Sequence, residues 1–148
     1  MKCYIINEKT LYLGEIDDKN VINEYGIELE IKDMDTKKIV NSSCLFYGTS
    51  YQGRKLGTKN MINETYKLPI ILNEAKKIII FPINSLKSKK NFWIIYNNIS
   101  NYHQISKSKV LVEFNNDFSK VFNISYYIFH NQMSKCSRLF IVYSNRNK

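Results

Sequence analysis

The 148-residue chain holds three cysteines, two histidines, two prolines and one tryptophan, and each scarcity removes a class of protein. Cys3, Cys44 and Cys136 are odd in number and show no CxxC spacing, which excludes a disulfide framework and a tetrahedral zinc site and fits a reducing cytosol. His103 and His130 lie too far apart to read as metal ligands, so no metal and no cofactor is expected. The N-terminal MKCYIINEKTLYLG turns polar after two isoleucines, no apolar run approaches membrane-span length, and a cytoplasmic protein is expected. No internal repeat, Gly/Ser linker or low-complexity tract divides the chain, and its length suits one domain. Carboxylates crowd the first third without a pairing that acid–base chemistry would need, so no enzyme class is indicated.

What is abundant is aromatic and basic. Eleven Tyr and eight Phe within a 44% hydrophobic composition exclude disorder and favour pleated structure. The formal net charge of +9 is unevenly spread: residues 1–35 hold nine acids against four lysines, a net of −5, and the remainder holds eighteen cations against four acids, a net of +14. A field of that size draws polyanions, nucleic acid or an anionic membrane surface.

Short apolar runs bounded by Asn, Ser, Gly or Pro predict strands at 2–6, 10–13, 26–31, 38–47, 67–72, 77–81, 92–96 and 110–114, with a hairpin turn at 115–117. Pro69 and Pro82 should mark strand ends or an edge. From Ser125, a plausible N-cap, the apolar period changes: Ile128, Phe129, Met133, Cys136, Leu139, Phe140 and Tyr143 follow helical spacing, with His130, Lys135 and Arg138 outward. The fold expected is mainly β: a single-domain antiparallel barrel or sandwich of about seven strands closed by a C-terminal amphipathic α-helix, an order a pleckstrin-like fold would satisfy.

The segment 43–58, SCLFYGTSYQGRKLGT, concentrates three of the five glycines and the basic pair Arg54 and Lys55. Gly48 and Gly53 have the GxxxxG spacing of a phosphate cradle, but Arg54 stands where the essential Lys belongs and Lys55 replaces the magnesium-binding hydroxyl. Nucleotide hydrolysis is thereby excluded, and Cys44, inside an apolar run, reads as a small hydrophobe rather than a nucleophile. Binding to the DNA backbone suits the same residues: Gly48 and Gly53 permit close approach, Thr49, Ser50, Tyr51, Gln52 and Thr58 can donate to phosphates, and Arg54, Lys55 and Lys59 supply charge. Lys87, Lys89 and Lys90 of the stretch NSLKSKKN, and Arg138, are further candidate phosphate contacts.

That segment, followed by KLPIIL at 67–72, IIIFPINS at 78–85, Trp93 and ISYYIFHNQ at 124–132, resembles the ComK family of bacterial competence transcription factors. The resemblance is best over 42–139, within a single ComK-like DNA-binding domain spanning 1–148. It implies an activator that binds double-stranded A/T-rich DNA boxes, largely through the minor groove, as a homo-oligomer associated with the nucleoid, and not with a membrane. Longer family members continue beyond the point where this sequence stops, so the resemblance also implies a short form. Its alternatives are a non-activating modulator that binds a protein partner such as a longer paralogue or a protease adaptor, or a basic module at a membrane surface.

Overall fold

The computed structural model describes residues 4–32, 34–84 and 91–148. Ile78, Ile79, Ile80 and Phe81 are consecutive and all buried, which a strand achieves only when both of its faces are covered. The same holds at Trp93, Ile94 and Ile95. These runs lie in a six-stranded antiparallel sheet made of β1 (Thr10–Ile16), β2 (Lys19–Glu24), β3 (Ile27–Ile31), β4 (Ile70–Asn73), β5 (Ile78–Pro82) and β6 (Phe92–Ile95), in the order β3-β2-β1-β6-β5-β4.

One face of this sheet packs Leu13, Ile22, Ile31, Ile70, Leu72, Ile78, Ile80, Trp93 and Ile95 against Tyr4 and Ile6 and against Ile39, Val40 and Cys44 of a first helix, α1 (Thr36–Phe46). The other face packs Tyr12, Ile71, Ile79, Phe81 and Ile94 against a second sheet and a long helix, α3 (Tyr126–Arg146). That second sheet has three antiparallel strands, β7 (Ile99–Ser106), β8 (Lys109–Phe114) and β9 (Ser119–Phe122), which contribute Val110, Val112, Phe114 and Phe122. A remaining helix, α2 (Tyr51–Ile62), lies against β4 and α3.

The chain is therefore mainly β, with the sandwich realised rather than the barrel: among the described residues there are two antiparallel sheets of nine strands and no closed barrel, with the expected C-terminal helix. Ser125 does cap α3, its hydroxyl accepting from Ile128 N at 3.2 Å. Pro82 ends β5, Pro69 immediately precedes the edge strand β4, and the turn at 115–117 joins β8 to β9. Gln132 of α3 is buried and donates to both Lys67 O (2.9 Å) and Pro82 O (2.7 Å), fixing the helix to the ends of β4 and β5.

The strand expected at 38–47 is a correction: those residues belong to α1. The Asp35 carboxylate caps it by accepting from Lys38 N at 2.8 Å, and Ile39, Val40, Ser43 and Cys44 share one buried face, a spacing of helix rather than strand. Tyr4 to Ile6 form no strand, and β2, β7 and β9 had no counterpart in the sequence reading.

Candidate nucleic-acid interface

The glycine-rich segment is a helix–turn–helix rather than a long loop. α1 stops at Phe46, four residues turn the chain, and α2 begins at Tyr51. Gly48 makes the turn: its φ is +85°, a conformation that L side chains resist, and its N–H bonds to Leu45 O at 3.0 Å. Tyr47 donates from its hydroxyl to Ile6 O (2.7 Å) and Ser43 Oγ accepts from Ile6 N (3.0 Å), so the end of α1 is pinned to the N-terminal segment. Ser50 then caps α2 by accepting from Gly53 N at 3.0 Å, and a Cβ on Gly53 would press within 3.0 Å of that same hydroxyl oxygen. Gly53 is thus there for the cap, inside a helix, and not for an open loop.

Several residues expected at a DNA surface instead hold α2 in place. Thr58, expected as a phosphate contact, is fully buried here and donates to Pro69 O at 2.8 Å. Arg54 turns to Glu74, Nη2 to Oε1 2.6 Å, with 15% of its side chain exposed against 59% for Glu74. Arg138 donates to Ile62 O (3.3 Å) and pairs with Glu64 (2.9 Å), while Arg146 donates to Asn60 Oδ1 (2.8 Å). These two arginines sit at the C-terminal end of α2, where the helix dipole favours cations. Cys44 is buried, and burial pushes its thiol up to about 11, so the residue is a packing group.

What remains at the surface is basic. Residues 36–63 contain no acid and five cations, and among the described residues no carboxylate pairs with Lys37, Lys38, Lys55 or Lys59. Lys37, Lys38 and Asn41 are exposed on α1; Gln52, Leu56 and Lys59 are exposed on α2, with Lys55 half-buried over the Tyr51 ring at 5.5 Å. Tyr51 itself meets Trp93 edge to face at 6.0 Å, tying the start of α2 to β6. Thr49 and Gly48 lie in the turn, Gly48 with open space around it. Lys87, Lys89 and Lys90 lie outside the described residues.

The structure thus brings together Gly48, Thr49, Ser50, Tyr51, Gly53, Lys55 and Lys59 on the turn and α2, and places Arg138 beyond the far end of that helix. Sequence reasoning missed Lys37, Lys38 and Asn41 because α1 was read as a strand. The signal was present: Asp35 three residues before Lys38, then Ile39 and Val40 followed by Ser43 and Cys44, the three-to-four spacing of a capped helix.

Compared with known proteins, residues 1–148 match the ComK protein family along their whole length. The chain belongs to the ComK family. The competence transcription factor of Bacillus subtilis (strain 168) is 30% identical to it over 152 residues, covering 99% of this chain and 78% of that relative. The ComK relative is a transcription factor and not an enzyme. No solved structure matches the chain. In this ComK-family chain no helix among the described residues is long and apolar enough to cross a membrane, and no cluster among them could hold a metal ion.

Proposed function

We propose that this ComK-family chain is a DNA-binding regulator of competence genes that recognises A/T-rich boxes as an oligomer, residues 1–148 acting as one DNA-binding domain in the cytoplasm at the nucleoid. The carrying observation is the helix–turn–helix of 36–63, acid-free and with four lysines left without a carboxylate among the described residues. Such a face meets phosphate without having to break internal ion pairs first.

Lys37, Lys38, Lys55 and Lys59 are the charged contacts in this reading, with Thr49, Ser50, Gln52 and the turn backbone around Gly48 as hydrogen-bonding neighbours. Arg54 is a positioning residue that sets α2 through Glu74. A helix about 10 to 12 Å across does not enter a minor groove about 6 Å wide. In minor-groove recognition α2 therefore runs along the phosphate walls, and only long side chains reach inward.

The experiment is a titration of an A/T-box duplex, a G/C-rich duplex and anionic vesicles across salt. Four neutralised phosphates per copy give a log–log salt slope of about −3.6, about −7 for two copies, and a loss on the order of 10⁴ in affinity between about 50 and 200 mM salt for the latter. Each of Lys55→Ala and Lys59→Ala should flatten the slope by about 0.9 and weaken both duplexes alike. A flat salt response, or binding that follows vesicle charge and ignores duplex, overturns the proposal.

A further inference from the structure

Between α1 and α2 lies a cleft of about 420 Å³, walled by Lys37 and Asn41 on one side and by Tyr51, Gln52 and Lys55 on the other, with Trp93 of β6 at its floor. Its lining has three chemistries. The accessible aromatic surface is the half-buried Tyr51, with Lys55 near its ring at 5.5 Å, and Trp93, 2% exposed, stands edge to face beneath it. The lips are cationic, since Lys37 and Lys55 have no carboxylate partner among the described residues. The side walls carry the amides of Asn41 and Gln52, each a donor and an acceptor.

Among the described residues no acid lines the cleft. Tyr51 and Gln52 also head α2, ahead of the first N–H that the Ser50 cap satisfies, so two backbone donors and the positive end of the helix dipole stand beside the lysines. Pockets for small ligands run from about 300 to 1,000 Å³ and are mostly apolar with a few placed polar groups. Each candidate ligand can be tested against that lining. A bare phosphate would leave the open edge of Tyr51 uncovered, and a neutral ring would leave both lysines unmatched. A planar base carrying a phosphate satisfies all three chemistries together.

We propose that the α1–α2 cleft binds a nucleoside phosphate, with its base against Tyr51 above the buried Trp93, its phosphate on Lys37 and Lys55, and its polar edges on Asn41 and Gln52. A free mononucleotide and an unpaired nucleotide of a DNA strand share this chemistry. Because Lys37 and Lys55 also belong to the proposed DNA face, an occupied cleft would compete with duplex. That consequence rests on the DNA reading, whereas the cleft site stands on its own lining.

Trp93 is the only tryptophan in the chain, so its fluorescence reports on the cleft floor directly. The intact protein is titrated separately with deoxyadenosine monophosphate, inorganic phosphate, deoxyadenosine and a short single-stranded oligodeoxyadenylate. The monophosphate should give a saturable change, with phosphate and deoxyadenosine each about tenfold weaker or more, as expected when charged hydrogen bonds and ring contact act together. Lys37→Ala and Lys55→Ala should each weaken it by about tenfold with unchanged thermal unfolding, and Lys107→Ala, in the β7–β8 turn, should leave it unaltered.

An oligonucleotide that saturates well below the monophosphate identifies the strand as the source; equal or weaker binding identifies the free nucleotide. The absence of saturation, a response that phosphate alone reproduces, or one that survives in the Lys37→Ala/Lys55→Ala double variant overturns the site. Duplex affinity is measured in parallel on the same samples. Nucleotide binding without duplex binding would refute the DNA reading alone, and the reverse would refute the cleft alone.

Discussion

Arg54 offers the sharpest separation between a residue that touches DNA and one that builds the surface DNA would touch. Its guanidinium sits 2.6 Å from Glu74, one partner largely covered and the other largely in water. Unit charges about 4 Å apart attract by roughly 4 kcal/mol at an effective dielectric near 20. Desolvation of Arg54 and screening at the exposed side of Glu74 take back much of that, leaving a coupling of about 1 to 2 kcal/mol, between an exposed pair and a buried one. The perturbation is a double-mutant cycle of Arg54→Ala, Glu74→Ala and the pair, read by thermal unfolding. For a domain of this size about 1 kcal/mol moves Tm by roughly 2 to 4 °C, so each single variant should melt several degrees early and the double variant less than additively. Duplex affinity, measured where every variant is folded, should fall far less in Arg54→Ala than in Lys55→Ala. Additive melting together with a selective loss of A/T preference in Arg54→Ala would refute this account and make Arg54 a DNA contact.

Two further outcomes test the packing behind that surface. Thr58→Val keeps the shape of a fully buried side chain but strands the Pro69 carbonyl that its hydroxyl serves, which should cost about 1 to 3 kcal/mol in denaturant unfolding; a neutral result would show that this bond does not hold α2 to β4. The buried Cys44 thiol keeps its proton in the folded protein up to about 11, against an ordinary 9.0. The folded state therefore binds the proton more tightly, so the thiol contributes its full stability below about pH 9 and loses it as pH rises toward 11. Cys44→Ala should flatten the pH dependence of stability over that interval, and an unchanged profile would show the thiol to be solvated.

How much of this was legible in the sequence depended on whether neighbours along the chain decided the structure. The helix α3 announced itself through Ser125 and the spacing of Phe129, Cys136 and Leu139, all three of which are buried. Strands β5 and β6 announced themselves as unbroken apolar runs, although only the structure shows that Ile78 and Ile79 face different cores. The failures were elsewhere. Segment 38–47 carries β-branched and aromatic residues that suit a strand, and the decisive facts were the Asp35 cap and the sheet face waiting for Ile39, Val40 and Cys44. β7 was missed because six of its eight residues are exposed and polar or isolated in pattern, so the strand exists through its pairing with β8. At the candidate site the sequence names Lys55 and Lys59, which lie on α2 without a carboxylate partner among the described residues, whereas no sequence pattern shows Glu74 or the Pro69 carbonyl folding back on Arg54 and Thr58.

The glycines and the lysines of the 43–58 segment consequently have separate tasks. Gly48 supplies the one backbone conformation that lets α1 and α2 meet in four residues, and Gly53 leaves room for the Ser50 cap. Two glycines within a twelve-residue helix cost about 1 kcal/mol each relative to Ala, so α2 is intrinsically weak and depends on Arg54, Thr58, Ile62, Arg138 and Arg146 to hold it. A helix secured in this way from one side can leave Gln52, Leu56 and Lys59 exposed on the other, with Lys55 half-buried over the Tyr51 ring. Residues 36–63 themselves hold no acid, and the acids nearest to them are engaged in holding the helices, Asp35 as the cap of α1 and Glu74 on Arg54, while Glu28 and Glu30 lie exposed on the edge strand β3 and discourage pairing with another sheet. With −5 in residues 1–35 and +14 in the remainder, the net charge of +9 sits in the part of the chain that holds 36–63, and under the DNA-binding reading proposed above that charge would draw a polyanion toward the lysines before contact.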